Sequence, residues 1–193
     1  QAKLPALVQF ATGNQRLNPL AAVSGGIGFS GDQTVGLWAD ASSALAWSIP
    51  HGFDSPAEFR PRSAAGVLIV GGRKWIAAYD LVSGAEVWRY MAQIQTGVPY
   101  VTESHVVFGD GHVITALSTR SGALQWQFAA VPDTLVSYAP TGTADTVFVG
   151  PGDGHLYALA LEDGALRWSL NVQDQWQYLR QIQIEGDVLV AGT

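Results

Sequence analysis

Val147–Trp168 reads VFVGPGDGHLYALALEDGALRW, and two upstream stretches repeat its pattern. Val67–Trp88 is VLIVGGRKWIAAYDLVSGAEVW, and Val106–Trp126 is VVFGDGHVITALSTRSGALQW. A worn copy precedes them, IGFSGDQTVGLWADASSALAW at Ile27–Trp47. The closing tryptophans Trp47, Trp88, Trp126 and Trp168 stand 41, 38 and 42 residues apart. Gly84, Gly122 and Gly164 each lie four residues before their tryptophan, where the first copy has Ser43. A period of about 40 residues held in phase by Gly and Trp marks a repeat architecture.

Each copy divides in the same way. An apolar run (VLIVG, VVFG or VFVG) meets Gly and Asp, which are turn residues. A second run follows (WIAAYD, VITAL or LYAL), then a Ser-Gly or Asp-Gly turn and a short strand ending in Trp. One more strand precedes each unit, in RPRSAAG, GVPYVTES and SYAPTGTAD. Four strands per repeat predict an all-β propeller of four-stranded antiparallel blades. A β-sandwich of short strands would not require Gly and Trp in fixed phase. The expected blades are about 18–50, 57–92, 96–130 and 134–171, with a partial blade at 177–193.

A blade must bury both faces against its neighbours. One indole per blade near the outer strand suits the widening gap between wedges, and Ala78, Ala116 and Ala158, ten positions earlier, leave room for it. Trp47, Trp88, Trp126 and Trp168 are therefore expected to pack between blades, with Gly84, Gly122 and Gly164. Trp38 aligns with Tyr79, Leu117 and Leu159 and is expected in the core. Trp75 and Trp176 fall outside the phase and are expected at the surface, anchoring a protein partner.

The rest of the composition narrows the function. The 193 residues are 48% hydrophobic and only 13% charged, with a net charge of -6. The only lysines are Lys3 and Lys74, which argues against nucleic acid as a partner. No apolar run approaches the ~20 residues of a membrane helix. Cysteine is absent, which removes thiol catalysis, Cys-ligated zinc and disulfides. Gly71-Gly72 and Gly25-Gly26 lack the context of a phosphate loop, and there is no nucleophile elbow.

Asp110/His112 and Asp153/His155 sit at equivalent turns, where turn chemistry is favoured over metal binding. His51 and His105 have no convincing partner in the sequence. Arg60 and Arg62 flank Pro61 on an expected inner strand and could face an anionic ligand or acidic partner across a central channel. Trp176 and Tyr178, among the glutamines of Gln173–Gly186, would suit an adaptable polar contact surface.

The series Ala-Leu/Tyr-x-x-x-x-Gly-x-x-x-Trp after Gly-Asp-Gly resembles the PQQ-like, or quinoprotein-type, propeller repeat. Gly152–Trp168 is the nearest copy, Gly109–Trp126 is close to it, and Ala77–Trp88 keeps the usual aspartate as Asp80. The resemblance covers about residues 20–193. It implies a cell-envelope location, periplasmic or extracellular. Its closest likeness is to the BamB-like outer-membrane assembly lipoproteins, which implies a non-catalytic scaffold that binds protein.

On that reading there is no catalytic, cofactor-binding or metal residue. The alternatives are a fragment of a PQQ-dependent dehydrogenase, with PQQ and calcium as cofactors, and a ligand-sensing ectodomain. In closed rings of this family an N-terminal strand commonly completes the last blade, and here Ala6–Phe10, within 4–13, would do so. A fifth unit opens at Gln177 and reaches Thr193 after two strands. Two arrangements stay open: a five-bladed ring closed with a three-stranded last blade, and the favoured one, a ring of about eight blades completed by a missing segment, another chain or a second copy.

Overall fold

Each well-formed repeat turns back on itself where its sequence supplies tight-turn residues. In the computed structural model described here, residues 16–39, 44–129, 139–150, 154–172, 181–185 and 188–192 are described. The first sheet comprises β1 (Ala21–Val23), β2 (Gly26–Ser30), β3 (Thr34–Ala39) and β4 (Ala44–Pro50). The second comprises β5 (Arg62–Ala64), β6 (Val67–Gly72), β7 (Trp75–Asp80) and β8 (Glu86–Met91). The third comprises β9 (Tyr100–Val101), β10 (His105–Asp110), β11 (Val113–Ser118) and β12 (Leu124–Ala129). The fourth comprises β13 (Thr141–Gly142), β14 (Thr146–Val149), β15 (His155–Ala160) and β16 (Leu166–Asn171). A two-stranded sheet follows, β17 (Gln181–Glu185) with β18 (Val188–Gly192). All pairs are antiparallel meanders in chain order, so each four-stranded sheet is one blade.

The turn between the third and fourth strands is built alike in three blades. Gly84, Gly122 and Gly164 hold φ of 74°, 68° and 73°, the left-handed region that glycine enters without strain. Their amides donate to Asp80, Ser118 and Ala160 carbonyls at 2.8–2.9 Å. Just before this turn the register slips by one residue, at Ala78/Tyr79, Ala116/Leu117 and Ala158/Leu159, and at Leu37/Trp38 in the first blade. A bulge there adds local twist to the outer strand.

Strand alternation sends each blade's side chains to two neighbours. Leu68, Val70, Ala77 and Tyr79 pack with Val35, Leu37 and Trp47 of the first blade. Val67, Ile69, Ile76 and Ala78 leave the same strands on the other face and meet Val106, Phe108 and Leu117 of the third. Val107, Ile114 and Ala116 then meet Val147, Tyr157 and Leu159 of the fourth. Leu156 and Phe148 meet Ile182 and Leu189 of the last sheet. The core is thus a series of layers between consecutive blades. The innermost strands β1 and β5, β5 and β9, and β13 and β17 lie side by side, as the narrow ends of wedges must.

The connections strap neighbouring blades together. Ala92 and Thr96 donate to the Lys74 and Arg73 carbonyls at one hairpin tip. Gly97 donates to Gly109, and Gln95 accepts from Gly111, at the next. The preceding connection does the same through His51 to Gln33, Ala57 to Gly31, and Glu58 to Gly71. The expected ring-closing strand lies outside the described residues.

Candidate functional site

The four repeat tryptophans sit opposite Leu37, Ala78, Ala116 and Ala158 across their strand pairs. Three of them reach into the next blade. Trp47 Nε1 donates to the Leu81 carbonyl at 3.0 Å, Trp88 Nε1 to Thr119 at 2.9 Å, and Trp126 Nε1 to Leu161 at 2.9 Å. The accepting residue always stands three before the turn glycine. Gly84, Gly122 and Gly164 lie flat on the indoles of Trp47, Trp88 and Trp126, so close that a Cβ would fall within 2.6–2.7 Å of ring carbons. Each joint is a ring wedged under a left-handed glycine and pinned by one hydrogen bond. Trp88 and Trp126 keep 7% and 6% of their surface exposed. Trp168 keeps 43%, and its indole N–H has no acceptor among the described residues.

Trp75 departs from the sequence expectation. It is 1% exposed, so it cannot anchor a partner. The His51–Pro61 connection folds over it, and Phe53 stacks on the indole at 3.9 Å and 7°. His51 flanks it at 4.8 Å, and Ser55 takes its Nε1–H through both the carbonyl and Oγ at 3.1 Å. The Arg89 guanidinium lies over the Phe53 ring, 4.8 Å from its centroid. His51 Nδ1 accepts from the Phe53 amide, which leaves Nε2–H to donate to the Asp32 carbonyl at 3.0 Å. Burial holds its pKa below the usual histidine value, against the pull of the Asp32 and Gly31 carbonyls. Trp38 is half-buried, tilted against Phe29 at 5.1 Å.

Arg60 and Arg62 are both exposed. Arg62 opens the innermost strand β5, while Arg60 Nε donates to the Leu20 carbonyl ahead of β1 at 2.9 Å. They share the inner end of the first two blades. Asp110 is buried, and its Oδ2 accepts from Tyr90 OH at 2.7 Å and, at 3.4 Å, from the Gln93 amide. Burial first, and then this carboxylate, push the Tyr90 phenol up to about 12. Asp110 Oδ1 and His112 Nδ1 are buried without a hydrogen-bond partner among the described residues. Among those residues no three His, Asp or Glu groups are placed to hold a metal. Trp176, Tyr178 and Asp153 lie outside the described residues.

The sequence offered no convincing partner for His105, which closes the turn at Glu103–His105. Ser104 Oγ sits 2.8 Å from His105 Nδ1, and the two line a cavity with Asp145, Glu162 and Arg167 of the fourth blade. Asp145 is held down to about 2 by the Arg167 guanidinium, helped by the Thr146 and Thr143 hydroxyls.

Known proteins share this architecture. The crystal structure of BamB from Moraxella catarrhalis superposes with a TM-score of 0.70 and 20% identity, over 90% of this chain and 53% of that one. The computationally designed Ika8 protein gives 0.76 and 16%, over 91% and 55%. The designed Ika4 protein gives 0.61 and 16%, over 74% and 88%. The chain thus spans about half the length of the first two, and at these identities the likeness shows the fold alone. No curated protein sequence matches it. The family model for outer membrane protein assembly factor BamB matches residues 31–193. These blades and that match show that the chain belongs to the BamB-like family of PQQ-like β-propeller repeats.

Proposed function

We propose that this chain is a non-catalytic scaffold of the cell envelope that holds protein partners during outer membrane protein assembly. The observation that carries the reading is the match of the assembly-factor family model to residues 31–193. The strapped blades suit the role, because a stiff disc holds loops and strand edges ready for a partner at little ordering cost. In-cell photocrosslinking from Arg62 tests it. Capture of outer-membrane assembly components, with depleted outer membrane proteins on gene deletion, is the expected result. Normal outer membrane protein levels after deletion would sink the reading.

The same reading includes a ring of about eight blades, to which this chain contributes four and part of a fifth. The half-exposed Trp168 supports it, since the following blade covers Trp88 and Trp126. Native mass decides between the options. A particle near the chain mass of 20.5 kDa means a small closed ring, and a multiple of it means completion by further blades.

A further inference from the structure

His105 breaks the repeat. Counted from the cross-strand pairs Leu68–Tyr79, Val106–Leu117 and Val147–Leu159, it stands where the neighbouring blades have Val67 and Thr146. The neighbouring blades form the same sheet without a histidine at this position. The side chain is only 9% exposed. In the tautomer whose Nδ1–H donates to Ser104 Oγ at 2.8 Å, Nε2 keeps its lone pair and is an acceptor. Nε2 has no protein partner among the described residues, and the residue lines a cavity of about 440 Å³ between the third and fourth blades.

The cavity is rich in acceptors. Arg167, its one permanent cation, is already used, with Nη1 donating to Asp145 Oδ2 at 2.9 Å and Thr146 Oγ1 at 2.6 Å. Glu162 and Asp163 are left without a cationic partner among the described residues. Asp163 Oδ1 accepts from the Ala165 amide at 3.0 Å. Glu162 is near enough to favour a charged His105, although burial wins and lowers the histidine pKa. No three of these groups are arranged as metal ligands.

We propose that this cavity binds a primary ammonium group, with His105 Nε2 accepting one of its hydrogen bonds and the Glu162 carboxylate balancing its charge. An ammonium carries three donors that splay apart, which suits one imidazole lone pair and a separate carboxylate better than a planar guanidinium does. The group comes either from a free amine or from a lysine side chain. The proposal does not depend on the assembly role.

The test follows the histidine proton resonances of the full chain at pH 7.5. The probes are 1,5-diaminopentane, acetyl-Ala-Lys-Ala-amide and its norleucine counterpart. The expected result is a saturable shift of the His105 resonance with both amines and none with norleucine. E162Q, an exposed change that spares the fold, should weaken binding roughly tenfold. Tighter binding of the peptide assigns the source to a partner's lysine, and tighter binding of the diamine to a free amine. An unmoved His105 resonance overturns the proposal, as does equal affinity in E162Q. Zinc bound one-to-one through His105 more tightly than either amine also overturns it, in favour of a metal site.

Discussion

Trp126 and Trp168 occupy the same place in consecutive blades, yet only one is locked. Trp126 is covered by Gly164 and donates to Leu161, whereas Trp168 stands half open beside Phe148 at 5.8 Å. The outer strand carries the same difference, since every residue of β16 is exposed while Trp126 is buried within β12. The same residue in the same local geometry thus has different energetic weight. What a repeat residue contributes is set by the neighbour that covers it.

The largest effect should come from truncation on the two sides of this contrast. Trp126→Ala should cost about 3–5 kcal/mol in urea unfolding, through lost burial and the cavity left behind. Trp168→Ala should cost less than about 1 kcal/mol in this chain. Equal costs would break the comparison. Next comes the cover itself. Gly122→Ala places a Cβ 2.7 Å from the Trp88 ring at φ 68° and should lose about 2–3 kcal/mol by strain and overpacking. A smaller and sharper probe is Trp126→Phe, which keeps a ring but orphans the Leu161 carbonyl, for about 1–3 kcal/mol. Trp168→Phe should be nearly silent.

Tyr79→Phe should instead stabilise the second blade, by about 1 kcal/mol. Its hydroxyl is buried without a partner among the described residues, and burial raises its pKa well above the usual tyrosine value.

The subtlest prediction concerns acid. His51 and His105 both have folded pKa values below the ordinary ~6.5. The unfolded chain takes up their protons first as pH falls. Their contribution is therefore complete above about 6.5 and is lost progressively below it. Asp80 and Asp145 have lowered values, so their contribution fades only below about 4. Melting temperature measured across pH 8 to 3 should show two separate declines. A flat profile between 7 and 5 would contradict the burial of the histidines.

Much of this molecule was legible in its sequence. Gly and Trp in fixed phase pointed to four-stranded antiparallel blades, and among the described residues even the worn first copy folds as a complete one. Trp75 was misread for a physical reason. Its phase with respect to the repeat says nothing about the His51–Pro61 connection, which lies outside the repeat and folds over it. Phe53 and Ser55 offer no periodicity that would announce the contact. His105 was legible only as an oddity. Its neighbours across the cavity, Glu162 and Asp163, belong to the next blade, and no local spacing links them to it. Residues that every copy shares report on the fold, and a residue that departs from the repeat is where a site is worth seeking.

Each joint runs one way along the chain, from the indole of one blade to the glycine turn of the next. The contact is therefore head-to-tail, and such a contact closes only if its rotation divides a full circle. No residue here counts blades. The angle between neighbours does, and the bulge repeated before every outer strand helps to set that angle. Shifting that bulge in several blades at once would change that angle, and with it the packing of Ala78, Ala116 and Ala158 opposite their tryptophans.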